Sequence, residues 1–269
     1  MIKLFLLFVL TVNLWAIERI ISLSPSITEI VYALGAGDEL VGTSSYSLYP
    51  KEAQKLPVIG GYENPNIEKI IALSPTLVVG QTFNTDTLQK LKHFNIKTIK
   101  LNLKTISSIK DSINTLATNI SSKQNKELIN NIDNAIKQAP KSKVPHAVLI
   151  VYGLHEDLRR STYIAGHNIF FEDIILACGN TNAYTSQTMS QPVLSYENII
   201  ALNPEQIIIL HSHATEADVN VEKALKNWHK LPTRAAKNKK ISIVDEDYLH
   251  IPSQRVALTI ERLCREMND

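Results

Sequence analysis

Three histidines occupy positions from which a side chain could coordinate a metal ion. His211 and His213 directly follow the apolar run QIIIL, which predicts a buried strand over 206–210. Residues two apart on an extended segment point the same way, so both imidazoles would face one site. His250 stands two residues after Tyr248, and tyrosine and histidine both serve as axial ligands to haem iron. Because the sequence offers no further ligands beside them, surface histidines fit the same pattern, and we assign no metal site.

Two adjacent arginines lie in the segment LHEDLRRSTY (154–163), which follows a predicted strand. The planar guanidinium groups of Arg159 and Arg160 could bind carboxylates or catecholates, such as those of an iron chelate or the propionates of haem. Two solvated arginines on a polar loop would give the same sequence. The segment is therefore a candidate for the edge of a ligand site, with both interpretations open.

The chain has no signature of a common secreted enzyme. It contains no nucleophile elbow, phosphate loop, His-Glu-x-x-His pair or glycine-rich dinucleotide turn. The serines of SLSPS precede a predicted helix, where capping accounts for them. A Ser-His-Asp set assembled from distant positions leaves no local pattern, so a secreted α/β hydrolase stays as a remote alternative. The missing motifs disfavour an enzyme, and we expect no catalytic cofactor.

One motif occurs twice. The chain reads NIEKIIALSPTLVVG around position 70 and SYENIIALNPEQIIIL around position 200, which places Glu68 and Glu197 129 residues apart (197 − 68). Solenoid repeats run about 20–50 residues, so this spacing indicates two lobes of similar construction. In each copy a polar residue can cap a short helix whose first turn holds the glutamate, which the helix dipole favours. Matched carboxylates on two related lobes also suit docking onto a symmetric, positively charged partner.

Strands alternate with helices along most of the chain, which indicates parallel sheets covered by helices. RIISL (19–23) predicts a strand, and the helix after it carries Ser26 and Glu29 at the spacing of a capping box. Residues 107–140 lack any strand signal and repeat isoleucine and leucine at helical intervals, which predicts one long helix. The predicted fold is α/β, with two Rossmann-like lobes (17–106 and 141–269) joined by that helix and a ligand cleft between the lobes.

Residues 1–16 differ from the rest of the chain. Lys3 precedes an apolar run of about 11 residues, shorter than the roughly 20 that span a bilayer, and LWA precedes a plausible cleavage point. We predict a cleaved secretory signal peptide and an exported protein; an uncleaved membrane anchor is the alternative. The formal net charge of +2 lacks the basic excess typical of nucleic-acid-binding proteins.

The chain has two cysteines, Cys178 and Cys264. An oxidising compartment favours a disulfide between them, which would lie within the second lobe. Two buried free thiols are the alternative.

The stretch from RIISLSPSITEIVYALGAGDELVG through SSYSLYPKEAQKLP to NIEKIIALSPTLVV resembles periplasmic substrate-binding proteins for cobalamin and iron chelates. The cysteines in ILACGN and RLCREM also fall at matching places. The resemblance implies two α/β lobes joined by a long helix and a monomer that delivers its ligand to an ABC permease homodimer in the inner membrane. It further implies that Glu68 and Glu197 dock onto the permease.

The same resemblance implies a ligand site built largely of aromatic side chains. Aromatic rings suit a flat macrocycle because each buries a large apolar area and stacks. The expected ligand is cobalamin (vitamin B12), with a ferric siderophore or haem as the alternative. The implied contacts are Tyr49, Tyr62 and Phe83 on the N-terminal lobe and Asp247 and Tyr248 on the C-terminal lobe.

Overall fold

Two β-sheets, built by successive parts of the chain, organise the protein. The structure is a computed structural model and describes residues 18–187, 189–212 and 219–268. The predicted signal peptide and His213 lie outside the described residues. Within those residues no helix combines the length and the apolar character needed to cross a bilayer.

The N-terminal sheet has four parallel strands in the order β2-β1-β3-β4. Its central strands are buried, as expected for a parallel sheet covered on both faces. In chain order its elements are β1 (Ile20–Ser22), α1 (Pro25–Ala33), β2 (Leu40–Gly42), α2 (Ile67–Ala72), β3 (Leu77–Gln81), α3 (Thr85–Lys92) and β4 (Lys97–Leu101).

The first helix begins differently from the prediction. Ser24, not Ser26, is the N-cap of α1, and its hydroxyl accepts a hydrogen bond from the Ile27 N–H. Ser26 and Glu29 are both buried. The capping box predicted from these two residues is therefore wrong, because the Glu29 carboxylate is engaged by a distant part of the chain.

The C-terminal sheet has the order β10-β9-β5-β6-β8, with β7 paired to β5. Strands β10, β9, β5 and β7 are parallel, whereas β6 and β8 form an antiparallel edge. In chain order its elements are β5 (Ala147–Tyr152), β6 (Thr162–Ile164), α6 (Phe170–Ala177), β7 (Thr181–Asn182), β8 (Val193–Leu194), α7 (Tyr196–Leu202), β9 (Gln206–His211), α8 (Val221–Trp228), α9 (Arg234–Lys237), β10 (Ile241–Asp245) and α10 (Val256–Asn268). The predicted fold class, two α/β lobes with mostly parallel sheets, is confirmed.

The helical segment between the sheets is two helices where a single continuous one was predicted over 107–140. Helix α4 (Ile106–Asn119) and helix α5 (Asn125–Gln138) are separated by a turn in which Ser121 has a φ of 56°. Lys110 Nζ lies 2.7 Å from Asp133 Oδ1, although 23 residues of continuous helix would hold them about 35 Å apart. The Ser122 hydroxyl donates to the Leu34 carbonyl at 2.7 Å, which fixes the turn against the end of α1. The two helices therefore fold back on each other.

The two lobes share one hydrophobic core. A single cluster of buried residues runs from Ile20 and Val79 of the N-terminal sheet through α4 and α5 to Ile150 and Leu210 of the C-terminal sheet. A backbone hydrogen bond also joins the lobes: the Phe170 N–H donates to the Lys104 carbonyl at 2.6 Å. A shared core opposes large movements of one lobe against the other.

Cys178, at the end of α6, is bonded to Cys264 of α10, so the predicted disulfide is present and lies within the C-terminal lobe. Both cysteines are fully buried in the shared core.

Candidate ligand site at the boundary of the lobes

The carboxyl ends of the parallel strands in the two lobes meet. Helix α1 starts at the carboxyl end of β1, and its Glu29 contacts Ser253 and Arg255, which follow the carboxyl end of β10. Open α/β sheets bind ligands at this edge of their strands. The meeting edges therefore form a candidate site, which we call the boundary site, built from the loops after β2, β3 and β10 and from the β5–β6 pair.

Two of the predicted aromatic residues form a pair on the N-terminal lobe. The rings of Tyr62 and Phe83 meet edge to face with centroids 5.7 Å apart, and 43% and 50% of these residues is exposed. The Asn84 amide holds this arrangement, because its Nδ2 donates to the Tyr62 carbonyl at 2.7 Å and its Oδ1 accepts from the Gln81 N–H. Burial raises the pKa of the Tyr62 hydroxyl, and the nearby Glu63 carboxylate adds to the shift.

A buried network of hydroxyl groups holds the loop that carries the third predicted aromatic residue. Thr28 Oγ1 lies 2.7 Å from Thr43 Oγ1 and 3.2 Å from Ser47 Oγ, and Ser22 Oγ lies within hydrogen-bond distance of Thr28. The network ties residues 43–47 to α1, and Tyr49 follows two residues later. The position of Tyr49 thus depends on side chains of α1 and β1.

Arg255 brings the predicted residues of the two lobes together. Its Cζ lies 4.0 Å from the centroid of the Tyr49 ring and 5.6 Å from that of Tyr248. Its Nη1 donates to Asp247 Oδ1 at 3.0 Å. Burial raises the pKa of Tyr248, and the neighbouring acidic residue Glu246 contributes. Three predicted site residues, one from the first lobe and two from the second, therefore surround one guanidinium group.

Arg255 and Glu29 are central to the boundary site, and the sequence reasoning missed both. Arg255 donates from Nε to Glu29 Oε2 at 3.0 Å and from Nη2 to Glu29 Oε1, and Ser253 Oγ binds the same carboxylate at 2.5 Å. Burial raises the pKa of the Glu29 carboxyl, and the Arg255 guanidinium opposes that shift. Partners 226 residues apart leave no local signal in a single sequence.

Tyr163 is a third residue that the sequence reasoning missed. The sheet register places Leu210, Tyr152, Tyr163 and Val193 directly beside one another on β9, β5, β6 and β8. Paired residues point to the same face of a sheet, and here burial falls along the row from Leu210, fully buried, to Tyr163, 58% exposed. The row extends the shared core outward as an apolar wall. The alternation of buried Thr162, exposed Tyr163 and buried Ile164 is the signal that could have found it.

His211 and His250, the two candidate histidines that the structure describes, contact an acidic and an aromatic side chain of the C-terminal lobe. His211 Nδ1 is 3.2 Å from Asp245 Oδ2, and the His250 ring lies 5.8 Å from the ring of Tyr152. Burial, reinforced by the nearby His211, lowers the pKa of His250 to about 4. In the part of the chain that the structure describes, no three or more His, Cys, Asp and Glu side chains are grouped to hold a metal ion.

The two predicted arginines lie beside α7 and α8. Arg159 is exposed and paired with Asp157, with Nη2 at 2.8 Å from Oδ2, and its hydrogen bonds lower the pKa of that carboxyl to about 2. Arg160 is exposed and lines a small crevice with Tyr196 and Trp228. Their loop follows β5, so it lies at the rim of the boundary site rather than among its rings.

Glu68 and Glu197 occupy equivalent places in the two lobes. Each is exposed in the first turn of a short helix, α2 capped by Asn66 and α7 capped by Ser195. A hydrogen bond from the Ser195 hydroxyl lowers the pKa of the Glu197 carboxyl. Since each helix leads directly into a parallel strand of its own sheet, its first turn lies toward the carboxyl edge. Both glutamates are thus on the side of their lobe that carries the boundary site.

An open depression of about 500 Å³ lies elsewhere, at the amino ends of β5, β9 and β10, and is lined by His146, Glu205 and Lys240 among others. None of the predicted site residues lines it.

A family model described as "Periplasmic binding protein" matches residues 20–248, which is most of the chain and includes both sheets. The chain belongs to the periplasmic binding protein family. Members of this family are substrate-binding components of ABC importers and are not enzymes, so the secreted hydrolase alternative is set aside. Binding proteins of this family deliver small molecules to ABC permeases.

Similar proteins match this periplasmic binding protein over nearly its whole length. A vitamin B12-binding protein from Vibrio vulnificus (strain CMCP6) is 31% identical over 97% of this chain and 94% of its own length. The crystal structure of the periplasmic vitamin B12-binding protein BtuF of Vibrio cholerae superposes with a TM-score of 0.75 at 26% identity, covering 93% of this chain and 96% of that one. The periplasmic heme-binding protein HutB of Vibrio cholerae gives the same TM-score and identity, covering 91% and 98%.

Proposed function

We propose that this protein captures cobalamin at the boundary site in the periplasm and delivers it to an ABC permease in the inner membrane. The observation that carries the proposal is the set of exposed aromatic rings at the meeting edges of the lobes. Tyr49, Tyr62, Phe83 and Tyr163 are each between 43% and 58% exposed, and exposed apolar groups gathered at one edge of a protein mark binding sites. Rings of this kind bind a flat macrocycle by apolar contact and stacking.

The charges around the site support a corrinoid over an anionic chelate. The Arg255 guanidinium, which lies over the Tyr49 ring and near that of Tyr248, is already bound to Glu29 and Asp247. Asp247 remains exposed over 69% of its side chain. Hydrogen-bond donors of a neutral ligand, such as the amide groups at a corrin periphery, suit an acidic rim better than carboxylates or catecholates do.

The second candidate is haem or a ferric siderophore. The heme-binding protein HutB matches this chain with the same TM-score and identity as the B12-binding protein BtuF, which favours this candidate. The exposure of Arg159 and Arg160 at the rim favours it as well. These arginines would bind acidic groups of the ligand if the loop after β5 turned toward the site.

Delivery is proposed to depend on Glu68 and Glu197. A monomer that presents one carboxylate from each lobe matches the symmetry of a permease homodimer. Export through a cleaved signal peptide at residues 1–16 belongs to the same proposal. The protein performs no chemistry on its ligand.

Ligand titration tests the proposal. The mature protein, purified from the periplasm, is mixed with cyanocobalamin, haemin or a ferric catecholate, and its melting temperature and visible spectrum are recorded. We expect cyanocobalamin to raise the melting temperature with dose, since a ligand at 100 times its Kd adds about 2.7 kcal/mol to stability. A shift with haemin or the ferric catecholate alone would establish the second candidate. No shift with any of the three would contradict both.

A further inference from the structure

Arg255 lies between two carboxylates and two rings that come from both lobes. It binds both carboxylate oxygens of Glu29 on α1 and one oxygen of Asp247 on its own lobe. Its guanidinium lies over the ring of Tyr49 from the first lobe and near that of Tyr248 from the second. A single side chain thus contacts four groups at the boundary site.

The guanidinium group is engaged by the protein itself. Nε, Nη1 and Nη2 all donate to carboxylates, and only 10% of the side chain is exposed. The residues it contacts are far more open, with 44% of Tyr49 and 69% of the Asp247 side chain exposed. Arg255 is therefore placed to orient groups that meet a ligand rather than to bind the ligand.

Helix α1 links both ends of this arrangement. Glu29 on α1 binds Arg255, while the preceding residue, Thr28, holds the loop that leads to Tyr49 through Thr43 and Ser47. The ring and the guanidinium that stacks on it are thus fixed from adjacent positions of one helix. A change in the Glu29–Arg255 pair would therefore alter the position of the Tyr49 ring.

We propose that Arg255 is a positioning residue of the boundary site: bound across the lobes by Glu29, it holds the rings of Tyr49 and Tyr248 in place and sets the spacing of the two lobes there. The proposal rests on the proposed function in so far as those rings receive the ligand. The spacing of the lobes is independent of ligand identity.

The shape of arginine matters to this role. The planar guanidinium binds a carboxylate with two parallel hydrogen bonds while its face stacks on an aromatic ring, and lysine does neither. Arg255→Lys keeps a buried charge beside Glu29 and loses only this geometry. The lobes remain joined in such a variant by the shared core and by the backbone contact between Phe170 and Lys104.

A double-mutant cycle with cyanocobalamin as the probe tests the coupling to Tyr49. We expect Arg255→Gln and Tyr49→Leu each to weaken binding about 10-fold, and the double variant to lose little beyond either single change, since coupled residues are not additive. Losses that multiply to about 100-fold, or wild-type affinity in Arg255→Gln, would overturn the proposal. Arg255→Lys replaces Arg255→Gln if the latter does not fold, with the same expectations. Arg234→Gln is the matched control, because Arg234 pairs with Glu205 at the opposite, amino-terminal edge of the C-terminal sheet.

A distance measurement without ligand tests the spacing of the lobes. Spin labels on Lys90→Cys and Lys226→Cys, at exposed positions on α3 and α8, report the distance between the lobes, and the native cysteines are bonded to each other. We expect Arg255→Gln and Arg255→Lys to broaden the distance distribution and Arg234→Gln to leave it as in the wild type. An unchanged distribution in both Arg255 variants would overturn the proposal. If the wild type binds no cyanocobalamin, the assignment of cobalamin fails and this measurement alone decides the inference.

Discussion

Tyr62 and Phe83 form an edge-to-face pair that joins the loop after β2 to the loop after β3, with ring centroids 5.7 Å apart. Such pairs contribute about 0.5–1.5 kcal/mol beyond the area they bury. Both residues are about half exposed, so the contact between the rings stabilises their positions at an open edge of the protein.

Removing one ring of the pair should also release the other ring from its position, and ligand binding should weaken for both reasons. We expect Tyr62→Ala and Phe83→Ala each to raise the Kd for the bound ligand about 10-fold, with the double variant well short of 100-fold. Isothermal titration measures these values, with whichever of cyanocobalamin, haemin or the ferric catecholate the wild type binds. Phe94→Ala is the control, because Phe94 is an exposed ring at the other edge of the same sheet. Normal affinity in both single variants would remove this pair from the ligand site.

Tyr163 should contribute a wall of the site from the C-terminal lobe. Tyr163→Ala removes an exposed ring that stands beside Tyr152 in the sheet, so we expect weaker ligand binding with little change in melting temperature. Burial of an aromatic side chain against a ligand is typically worth 1.5–3 kcal/mol, which corresponds to a loss of at least about 10-fold in affinity. The two values come from titration and thermal melting of the same preparation. A large drop in melting temperature at unchanged affinity would assign Tyr163 a structural role.

Glu68 and Glu197 should act in transport and not in ligand capture. The double variant Glu68→Gln, Glu197→Gln is expected to lower ligand uptake through the permease in reconstituted vesicles while keeping the wild-type Kd. Glu127→Gln with Glu222→Gln supplies the control, since these exposed carboxylates also lie in the first turns of helices. Equal uptake by the two double variants would exclude the docking role.

Removal of the disulfide should destabilise the C-terminal lobe. Cys178 and Cys264 are 86 residues apart in sequence, and loop-closure entropy alone predicts a loss of about 4–5 kcal/mol on replacing both with serine. Denaturant unfolding of the wild type and of the Cys178→Ser, Cys264→Ser variant gives the difference. Because the bond lies within one lobe, ligand affinity in the folded fraction should stay near the wild-type value. A variant as stable as the wild type would show that the bond constrains little of the unfolded chain.

Acid should destabilise the protein through His250. Its pKa is about 4 in the folded protein, lowered by burial and by the nearby His211, against about 6.5 in an unfolded chain. The folded state therefore favours the neutral imidazole, and its contribution to stability is complete above pH 6.5 and declines as the pH falls toward 4. The full shift corresponds to roughly 3 kcal/mol.

Melting curves between pH 7 and pH 4 measure this dependence. The wild type should lose more stability over that range than His250→Gln, whereas His93→Gln, altered at an exposed histidine, should follow the wild type. Parallel losses in the wild type and in His250→Gln would assign the acid sensitivity to other groups.

Much of this molecule follows from the order of residues along the chain. Buried strands such as Leu77–Gln81 and Gln206–His211 are continuous apolar runs, and the repeated motif yields two capped helices at the predicted places. These features depend on residues a few positions apart, which a single sequence displays directly. The cysteines are a different case: they lie 86 residues apart, but with two in the chain only one pairing was possible.

The continuous helix over 107–140 failed because periodicity does not reveal a turn. Ser121 and Ser122 interrupt the pattern without glycine or proline, and the reversal is stabilised by the bond from Ser122 to Leu34, 88 residues away. Hydrophobic spacing is the same in one long helix and in two short ones that pack together.

The sequence by itself determined two α/β lobes and the repeated acidic motif, because each depends on neighbouring residues, and it limited the cysteines to one possible pair. Tertiary structure alone decided that Glu29 and Arg255 meet, that Tyr49 stacks on that guanidinium and that Tyr163 continues the row begun by Leu210. Such contacts depend on how sheets and helices pack across long stretches of chain, and the free energy that selects them belongs to the whole assembly rather than to any segment.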